Sequence, residues 1–379
     1  MIRMLVEKFV DSPRHIEIQI LGDKHGNAIH LNERECSIQR RNQKVIEEAP
    51  SPFLDPPTRA AMGEQAVQLS KAIGYDSAGT VEFLCDSQKN FYFLEMNTRL
   101  QVEHPITECI TGVDLVHQMI RTAYGHPLKL KQEDVGIRGW AFENRVYAED
   151  PTKNFGMPSI GRLYKYEEPK NIAGVRCDSG IEEGSEISMY YDPMICKLTC
   201  YGGSREDAIA TSINALDNYV IRGVTHNIPL LRDVLTEPVF NSGTFTTSYL
   251  QETYPEGFQG VQLTKADSLA ISSLAAVCHC KEAERARVRL NDQKLKADRT
   301  PSSRNLVVDV KGEKVELTVV KKDGSYTVTG PDGNVEVVDN FNLSDSVIDT
   351  QLNGESVVAQ LIKRDPSGQL RIRYGSCSW

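Results

Sequence analysis

The segment between Phe91 and Pro105 has polar or charged side chains at every second position. It begins with a short apolar run, and the alternating residues that follow are Glu95, Asn97, Arg99, Gln101 and Glu103. Alternate residues of an extended chain point to the same face. We therefore predict one strand face with two carboxylates, two side-chain amides and a guanidinium. An ordinary solvated strand face has the same pattern, so this segment alone leaves both interpretations open.

A second predicted strand lies just upstream and supplies another carboxylate. The segment TVEFLC is followed by five residues typical of a turn. A hairpin about that turn sets Glu82 opposite Glu95, where two like charges repel each other. A cation between them would remove the repulsion, and Asn97 adds a third hard oxygen ligand suited to Mg²⁺ or Mn²⁺. Simple neutralisation by a nearby lysine or arginine is the alternative.

Three further segments combine charged and polar residues, and these are Arg14–Glu17, Glu33–Lys44 and Arg145–Pro151. Together with Glu82 and the segment after it, they resemble the catalytic end of ATP-grasp enzymes. In particular, they resemble the biotin carboxylase component of biotin-dependent carboxylases, from about Glu7 to about Tyr254. The stretch Tyr219–Asn227 is similar to α subunits of acyl-CoA carboxylases and favours propionyl-CoA as the acyl-CoA that is carboxylated. Methylcrotonyl-CoA and acetyl-CoA remain alternatives, because the β subunit chooses the acyl-CoA.

The resemblance implies an α+β chain with three parts. It implies the C-terminal half of an ATP-grasp domain over residues 1–105, hence a partial ATP-grasp fold, and a biotin carboxylase C-terminal subdomain over 106–257. The pattern of residues 258–379 predicts a long helix over Lys265–Leu290, followed by seven short strands of a small antiparallel β-barrel. A helix with such a barrel resembles the domain that docks an α subunit to a β subunit. A generic β-barrel is the alternative.

The resemblance implies ATP as the nucleotide and a divalent metal beside it. The positions implied to bind ATP are Glu7, Lys8, Val10, His15, Gln39 and Asn42. Those implied to bind Mg²⁺ or Mn²⁺ are Glu82, Glu95 and Asn97. The cations at Arg40, Arg41 and Lys44 also suit a triphosphate by residue type, because charge-assisted hydrogen bonds are strong. A solvated surface is the alternative for these cations.

The resemblance also implies a carboxylation site. The residues implied to bind bicarbonate are Arg99, Gln101 and Val102, and the catalytic residues implied are Arg99, Glu103, Arg145 and Lys44. Glu103 would be the general base that deprotonates bicarbonate. Arg145 would stabilise negative charge on the ureido oxygen of biotin, although an ion pair with Glu143 is the structural alternative. Phe155 and Asp192 would bind biotin, and Asp192 could instead orient Arg145.

Composition excludes some classes of function. A formal net charge of -9 over 379 residues argues against a general nucleic-acid-binding protein, which needs clustered excess Lys and Arg. No apolar run approaches the roughly 18 residues of a membrane-spanning helix. The nine cysteines form no disulfide framework, which indicates reduced thiols in an intracellular compartment.

The two ends of the chain predict a piece of a longer protein. Met1–Glu7 has no secretory or transit pattern, and the family's N-terminal subdomain and Gly-rich lid have no counterpart here. The biotin-bearing Ala-Met-Lys-Met element is also missing. By resemblance, we expect a separate biotin carrier domain and a carboxyltransferase β subunit as partners, in a hetero-oligomer of the mitochondrial matrix. A catalytically inactive scaffold that binds β subunits, and an ATP-grasp ligase that joins a carboxylate to an amine, are the alternative functions.

Overall fold

The computed structural model describes residue 4 and residues 6–153, 157–261, 263–291, 303–310, 312–364, 369–375 and 377–378. The chain forms two compact units. The first comprises residues 1–163, 169–216 and 224–259, and the second comprises residues 164–168, 217–223 and 260–379. The predicted boundary at residue 258 lies next to this division, whereas the predicted boundary at residue 105 falls inside the first unit.

The strands are β1 (Arg14–Gly22), β2 (Ala28–Arg40), β3 (Gln43–Ala49), β4 (Ser77–Cys85), β5 (Phe91–Asn97), β6 (Trp140–Tyr147), β7 (Gly161–Arg162), β8 (Lys165–Glu167), β9 (Val175–Ser179), β10 (Glu186–Ile187), β11 (Met194–Gly202), β12 (Val220–Arg222), β13 (Ser303–Val310), β14 (Glu313–Lys322), β15 (Ser325–Gly330), β16 (Gly333–Val338), β17 (Ile348–Leu352), β18 (Glu355–Arg364), β19 (Leu370–Tyr374) and β20 (Cys377–Ser378). The α-helices are α1 (Pro56–Ala72), α2 (His104–Thr111), α3 (Leu115–Ala123), α4 (Arg205–Asn218), α5 (Ile228–Thr236), α6 (Pro238–Asn241), α7 (Tyr249–Thr253) and α8 (Lys265–Asn291).

The first unit is built on one antiparallel sheet with the strand order β5-β4-β1-β2-β3-β6-β11-β9. Its strand β1 alternates apolar and polar residues. Ile16, Ile18 and Ile20 pack against Met62 and Ala66 of helix α1 and form a buried core. Glu17 and Gln19, between the isoleucines, therefore point to the opposite face of the sheet, which bears polar groups.

Helix α1 begins at a well-defined cap. The side chain of Asp55 accepts a hydrogen bond from the backbone N–H of Thr58 at 2.9 Å, and Pro56 occupies the first turn, where its missing N–H has no cost. Helix α1 covers the sheet that presents Glu82 and Glu95, because its Met62 and Ala66 pack with Val81 and Phe83 of β4.

The chain after β5 differs from the sequence-based expectation. The alternating pattern predicted an extended chain as far as Glu103, but β5 ends at Asn97, and a helix, α2, begins at His104. Pro105 suits the first turn of a helix, and Gly112 ends α2 with a left-handed φ of 74°. The next helix, α3, begins at Leu115.

The second unit contains α8 and an eight-stranded antiparallel sheet with the order β13 to β20. Each strand pairs with its neighbour along the chain, and the sheet curls into a half-barrel. Leu274 and Val277 of α8 pack with Tyr326, Val328 and Val337 of the sheet in one core. The prediction of a helix with a small antiparallel barrel is confirmed, and an eighth strand, β20, joins the seven predicted ones.

Helix α8 packs its apolar side chains against one face of the curled sheet, and the two together form the core of this unit. Among the helices that the structure describes, none combines the length and the apolar character that a membrane crossing requires. The eight cysteines with described side chains are free thiols.

Candidate active site

The hairpin β4–β5 brings the predicted metal ligands together. Glu82 and Glu95 are direct partners across the two strands, as expected. The side-chain amide of Asn97 donates to Oε1 of both carboxylates at 3.0 Å. Glu82 is 5% exposed, whereas Glu95 is exposed and reaches a large cavity. The structure therefore holds two carboxylates and an asparagine within contact of one another at the rim of that cavity.

The prediction that all five alternating residues share one strand face is wrong beyond Asn97. Arg99 is exposed, and its guanidinium donates to the carbonyl of the adjacent Leu100 at 3.3 Å. Gln101 is buried and reaches Glu82 from the loop, with its Nε2 donating to Oε1 at 2.7 Å. The reason is the turn at the end of β5, since only residues within a strand keep the two-residue period.

Lys44 lies among three carboxylates. Its Nζ is 2.5 Å from Oε1 of Glu103, 2.6 Å from Oε2 of Glu17 and 3.4 Å from Oε1 of Glu82. Burial by itself lowers the pKa of Lys44, but the surrounding acidic groups outweigh it and raise the pKa well above its usual range. The lysine therefore remains protonated and connects its own strand to three other parts of the chain.

Glu17 belonged to a motif of the resemblance but received no role from the sequence. It is fully buried on β1, opposite Glu82 of β4 and Arg34 of β2. Burial tends to raise the pKa of Glu17, but the charges of Arg34 and Lys44 outweigh it and lower the pKa to about 2. The available signal was its position between isoleucines, since a polar residue at every second position of a core strand marks a polar face.

Arg34 is the second residue that the sequence analysis did not assign. Its side chain is fully buried, and its guanidinium donates to five acceptors. These are Glu17 Oε1 (2.5 Å), Gln19 Oε1 (2.6 Å), Gln101 Oε1 (2.8 Å), Thr107 Oγ1 (2.9 Å) and Thr80 Oγ1 (3.2 Å). Arg34 thereby ties strands β1 and β4 to helix α2 and to the loop that presents Gln101.

Arg145 contacts two carboxylates from other elements. Its Nε donates to Oε1 of Glu47 at 2.6 Å, and its terminal nitrogen lies 2.9 Å from Oε2 of Glu103. Glu143, the predicted alternative partner, forms no ion pair with it among the described residues. Burial lowers the pKa of Arg145, but Glu47 and Glu103 outweigh that effect and raise it. Glu103 consequently lies between Lys44 and Arg145, with one oxygen on each cation.

The residues predicted to bind biotin are only partly brought together. Asp192 is exposed, and its Oδ1 accepts from the backbone N–H of Met194 at 2.9 Å. The carboxylates in contact with the Arg145 guanidinium are Glu47 and Glu103, and the role of Asp192 toward Arg145 or biotin stays a prediction. Phe155 lies outside the described residues. Val102 is held through its carbonyl, which accepts from Nζ of Lys197 at 3.2 Å, a contact that the sequence did not indicate.

Five of the six residues predicted to bind the nucleotide border the same large cavity. It has a volume of about 1230 Å³, and its lining includes Lys8, Val10, His15, Gln39, Asn42, Glu82 and Glu95. Glu7 is exposed and directly precedes Lys8, Phe9 and Val10, which line this cavity. The ring of His15 connects the cavity to the predicted metal ligands, with Nε2 at 2.7 Å from Glu82 and Nδ1 at 2.6 Å from Gln39.

Comparison with known families divides the chain into three matches. Residues 2–131 match the family described as the carbamoyl-phosphate synthase L chain, ATP binding domain. Residues 143–252 match the biotin carboxylase C-terminal domain. Residues 271–378 match the propionyl-coenzyme A carboxylase BT domain.

Individual relatives agree with these matches. The mitochondrial propionyl-CoA carboxylase alpha chain of Caenorhabditis briggsae is 57% identical over 384 residues, which cover 98% of this chain and 52% of the relative. The mitochondrial methylcrotonoyl-CoA carboxylase subunit alpha of Mus musculus is 38% identical, with 98% and 53% covered. The chain thus spans about half the length of these relatives.

Among solved structures, the biotin carboxylase domain of 2-oxoglutarate carboxylase from Hydrogenobacter thermophilus is similar to this chain, with a TM-score of 0.63 and 50% identity. The similarity covers 65% of this chain and 54% of that one. That domain was solved in complex with MgADP, ADP and bicarbonate.

Proposed function

The chain belongs to the family of biotin carboxylases and propionyl-CoA carboxylase α chains, and from that premise we propose that it catalyses the ATP- and bicarbonate-dependent carboxylation of biotin. One observation supports this proposal above all. Glu103 lies between Lys44 and Arg145, within the unit that also contains the cavity lined by the nucleotide-binding positions. A carboxylate flanked by two cations, next to a nucleotide site, suits a reaction that brings an anion to ATP.

The residues of the hairpin fit a divalent metal. Glu82 and Glu95 are like-charged carboxylates on opposite strands, and Asn97 lies within 3.0 Å of both, so the set offers hard oxygen ligands at the cavity. Mg²⁺ or Mn²⁺ held there would neutralise phosphate oxygens of ATP and polarise the phosphoryl group that is transferred. The ring of His15 contacts one oxygen of Glu82, and the side-chain amide of Gln101 donates to the other. These two contacts hold Glu82 in place.

The chain's own residues account for the activation of bicarbonate. Lys44 and Arg145 attract the anion, and Glu103 accepts its proton. The deprotonated oxygen then attacks the γ-phosphorus of ATP, and ADP leaves with the electron pair of the broken bond. Gln101 and the backbone of Val102 are proposed to border the bicarbonate. Arg34 holds the side chain of Gln101 in place, and Lys197 holds the carbonyl of Val102. Arg99, exposed at the end of β5, is proposed to complete the bicarbonate site.

Arg145 would serve the second half of the reaction. Its guanidinium is held in a fixed orientation by Glu47 and Glu103. In that orientation it can donate to the ureido oxygen of biotin, where negative charge develops as N1 loses its proton to phosphate. A donor that is already oriented stabilises such charge without reorganisation cost. Phe155 and Asp192 are proposed to border biotin, which a separate carrier domain would present.

We propose propionyl-CoA as the acyl-CoA that finally receives the carboxyl group. Identity is 57% to a propionyl-CoA carboxylase alpha chain but 38% to a methylcrotonoyl-CoA carboxylase subunit. Residues 258–379, which contain the match to the BT domain, are proposed to bind a carboxyltransferase β subunit in a hetero-oligomer. The mitochondrial names of the relatives support the mitochondrial matrix as the location.

The test is release of ADP in the presence of Mg²⁺, bicarbonate and free biotin. This chain is compared with a version extended to the full length of its relatives. Activity that depends on bicarbonate supports the proposal, in one version or in both. Absence of activity in both, together with binding of a β subunit by residues 258–379, would replace it with the scaffold function.

A variant makes the metal assignment testable in the active version. Glu95→Gln removes one charged ligand from the exposed rim and should abolish Mg²⁺-dependent ADP release with the fold unchanged. Glu64→Gln on the exposed side of α1 is the matched control. Unchanged turnover in Glu95→Gln would exclude this residue as a metal ligand.

A further inference from the structure

Two buried carboxyl groups face each other behind Arg145. Glu47 of β3 and Glu143 of β6 are direct partners across the two strands, and both are 0% exposed. Directly opposed side chains in an antiparallel pair have their Cβ atoms about 4.5–5.5 Å apart. Glu47 contacts Arg145, whereas Glu143 takes no part in the steps proposed above. Two like charges at this separation, with no water access, oppose each other strongly.

Each of these carboxyl groups has one oxygen without a hydrogen-bond partner among the described residues. The atoms are Oε2 of Glu47 and Oε1 of Glu143, and both are buried. The other oxygen of Glu143 accepts only a long hydrogen bond, from Oγ1 of Thr199 at 3.4 Å. A buried, charged oxygen without a hydrogen-bond partner is costly. A proton shared between the two carboxyl groups would give each of them a hydrogen-bond partner.

Among the described residues, no lysine or arginine forms an ion pair with Glu143, although Arg145 and Lys197 lie near it. The charged and titratable groups around the pair, taken from every strand and helix packed on it, are Lys44, Arg145, Tyr147, Lys197, Glu103, Cys36 and Cys109. Lys44 already contacts Glu17, Glu82 and Glu103, and Arg145 already contacts Glu47 and Glu103. Lys197 lies 3.4 Å from Asp178. A further anion at Glu143 would therefore add an uncompensated buried charge.

We propose that Glu47 and Glu143 share one proton, which resides on Glu143 and is donated to Glu47, and that neutral Glu143 is a positioning residue for Glu47 and hence for Arg145. Burial, and then the charge of Glu47, raise the pKa of Glu143 well above its usual range, while burial raises that of Glu47 to about 7 despite Arg145. The role toward Arg145 rests on the proposed function. The shared proton rests only on the contacts of this chain.

Infrared spectroscopy of the whole chain tests the proton directly. At neutral pH the protein should show the carbonyl stretching band of a protonated carboxylic acid, and Glu143→Gln should lack it. Glu206→Gln, which replaces an exposed carboxylate, is the control and should keep the band. Because no turnover is measured, failure of the proposed function does not affect this result. Persistence of the band in Glu143→Gln would overturn the proposal.

The pH dependence of unfolding is the second test. A group whose pKa is raised by folding stabilises the protein below its unfolded pKa of about 4.5, and this stabilisation is lost as the pH rises. The unfolding equilibrium constant of the natural chain, divided by that of Glu143→Gln, should therefore rise about tenfold per pH unit between about pH 5 and pH 7. A ratio independent of pH would overturn the proposal.

The neutral isostere also provides a direct check on the positioning role. Glutamine resembles protonated Glu143 in shape and can still donate to Glu47, so Glu143→Gln should fold and keep most biotin carboxylation in an active version. Glu143→Leu cannot donate, and biotin carboxylation should fall about 10–100-fold, while bicarbonate-dependent ADP release changes less. Failure of Glu143→Gln to fold, or equal loss in both variants, would overturn the proposal.

Discussion

Replacing Arg34 by methionine should destabilise the first unit strongly. The substitution keeps an unbranched side chain but removes the only cation in hydrogen-bond contact with Oε1 of Glu17 among the described residues. It also leaves the acceptors on Gln101 and Thr107 without their buried donor. Removal of one partner from a buried ion pair costs about 3–5 kcal/mol, because the remaining charge is uncompensated.

The pKa of Glu17 gives a similar magnitude for the stability that depends on Arg34. Folding lowers its pKa from about 4.5 to about 2, and the group is fully buried, so the full difference applies. At about 1.36 kcal/mol per pH unit, a lowering of this order corresponds to roughly a few kcal/mol of stability at neutral pH. Since Arg34 is the largest influence that lowers this pKa, most of that stability should disappear in Arg34→Met.

The sign of the pH dependence separates this explanation from a simple loss of packing. In the natural chain the pKa of Glu17 is lowered by folding, so its contribution is present above pH 4.5 and is lost as the pH falls toward 2. In Arg34→Met burial again raises that pKa, and the acid-dependent loss should largely vanish. The two proteins should therefore differ most at neutral pH and converge as the pH falls.

Urea unfolding of the whole chain is the assay. The sequence has two tryptophans, so a Trp379→Phe background leaves Trp140 of the first unit as the single tryptophan reporter. The double variant Arg34→Met with Glu17→Gln removes the uncompensated charge and should be more stable than Arg34→Met alone. A loss below about 1 kcal/mol at neutral pH, or an equal loss at pH 3 and pH 7, would refute the reasoning.

Three further outcomes are expected. Arg145→Ala should reduce biotin carboxylation more than bicarbonate-dependent ADP release in an active version, and equal loss of both would indicate a structural role. Met62→Ala in the fully buried core under β1 should cost about 2–5 kcal/mol in urea unfolding, and an effect well below this range would contradict the packing. Gly202→Ala should lower Tm, because its Cβ would lie 2.4 Å from the backbone nitrogen of Ala208, whereas Gly180→Ala has nothing within 4 Å and should not.

Local patterns were sufficient to predict the parts of the site that belong to one hairpin. The turn between β4 and β5 and the two-residue period of each strand set Glu82 opposite Glu95, and the structure confirms this pairing. The same period misplaced Arg99, because nothing in the alternation indicates where a strand stops. The start of α2 was signalled only by Pro105, which also fits an extended chain.

The amino-acid sequence by itself determined the resemblance, the strands and helices with strong periodicity, and the positions that we propose to bind the nucleotide. The tertiary structure alone decided which charges meet. Lys44 and Glu103 are separated by 59 positions along the chain, and Glu47 and Arg145 by 98. Sequence periodicity states which face a residue occupies, whereas the partner of a buried charge depends on which strands become neighbours in the sheet. For that reason Arg34, Glu17 and the pair behind Arg145 became visible only in the folded chain.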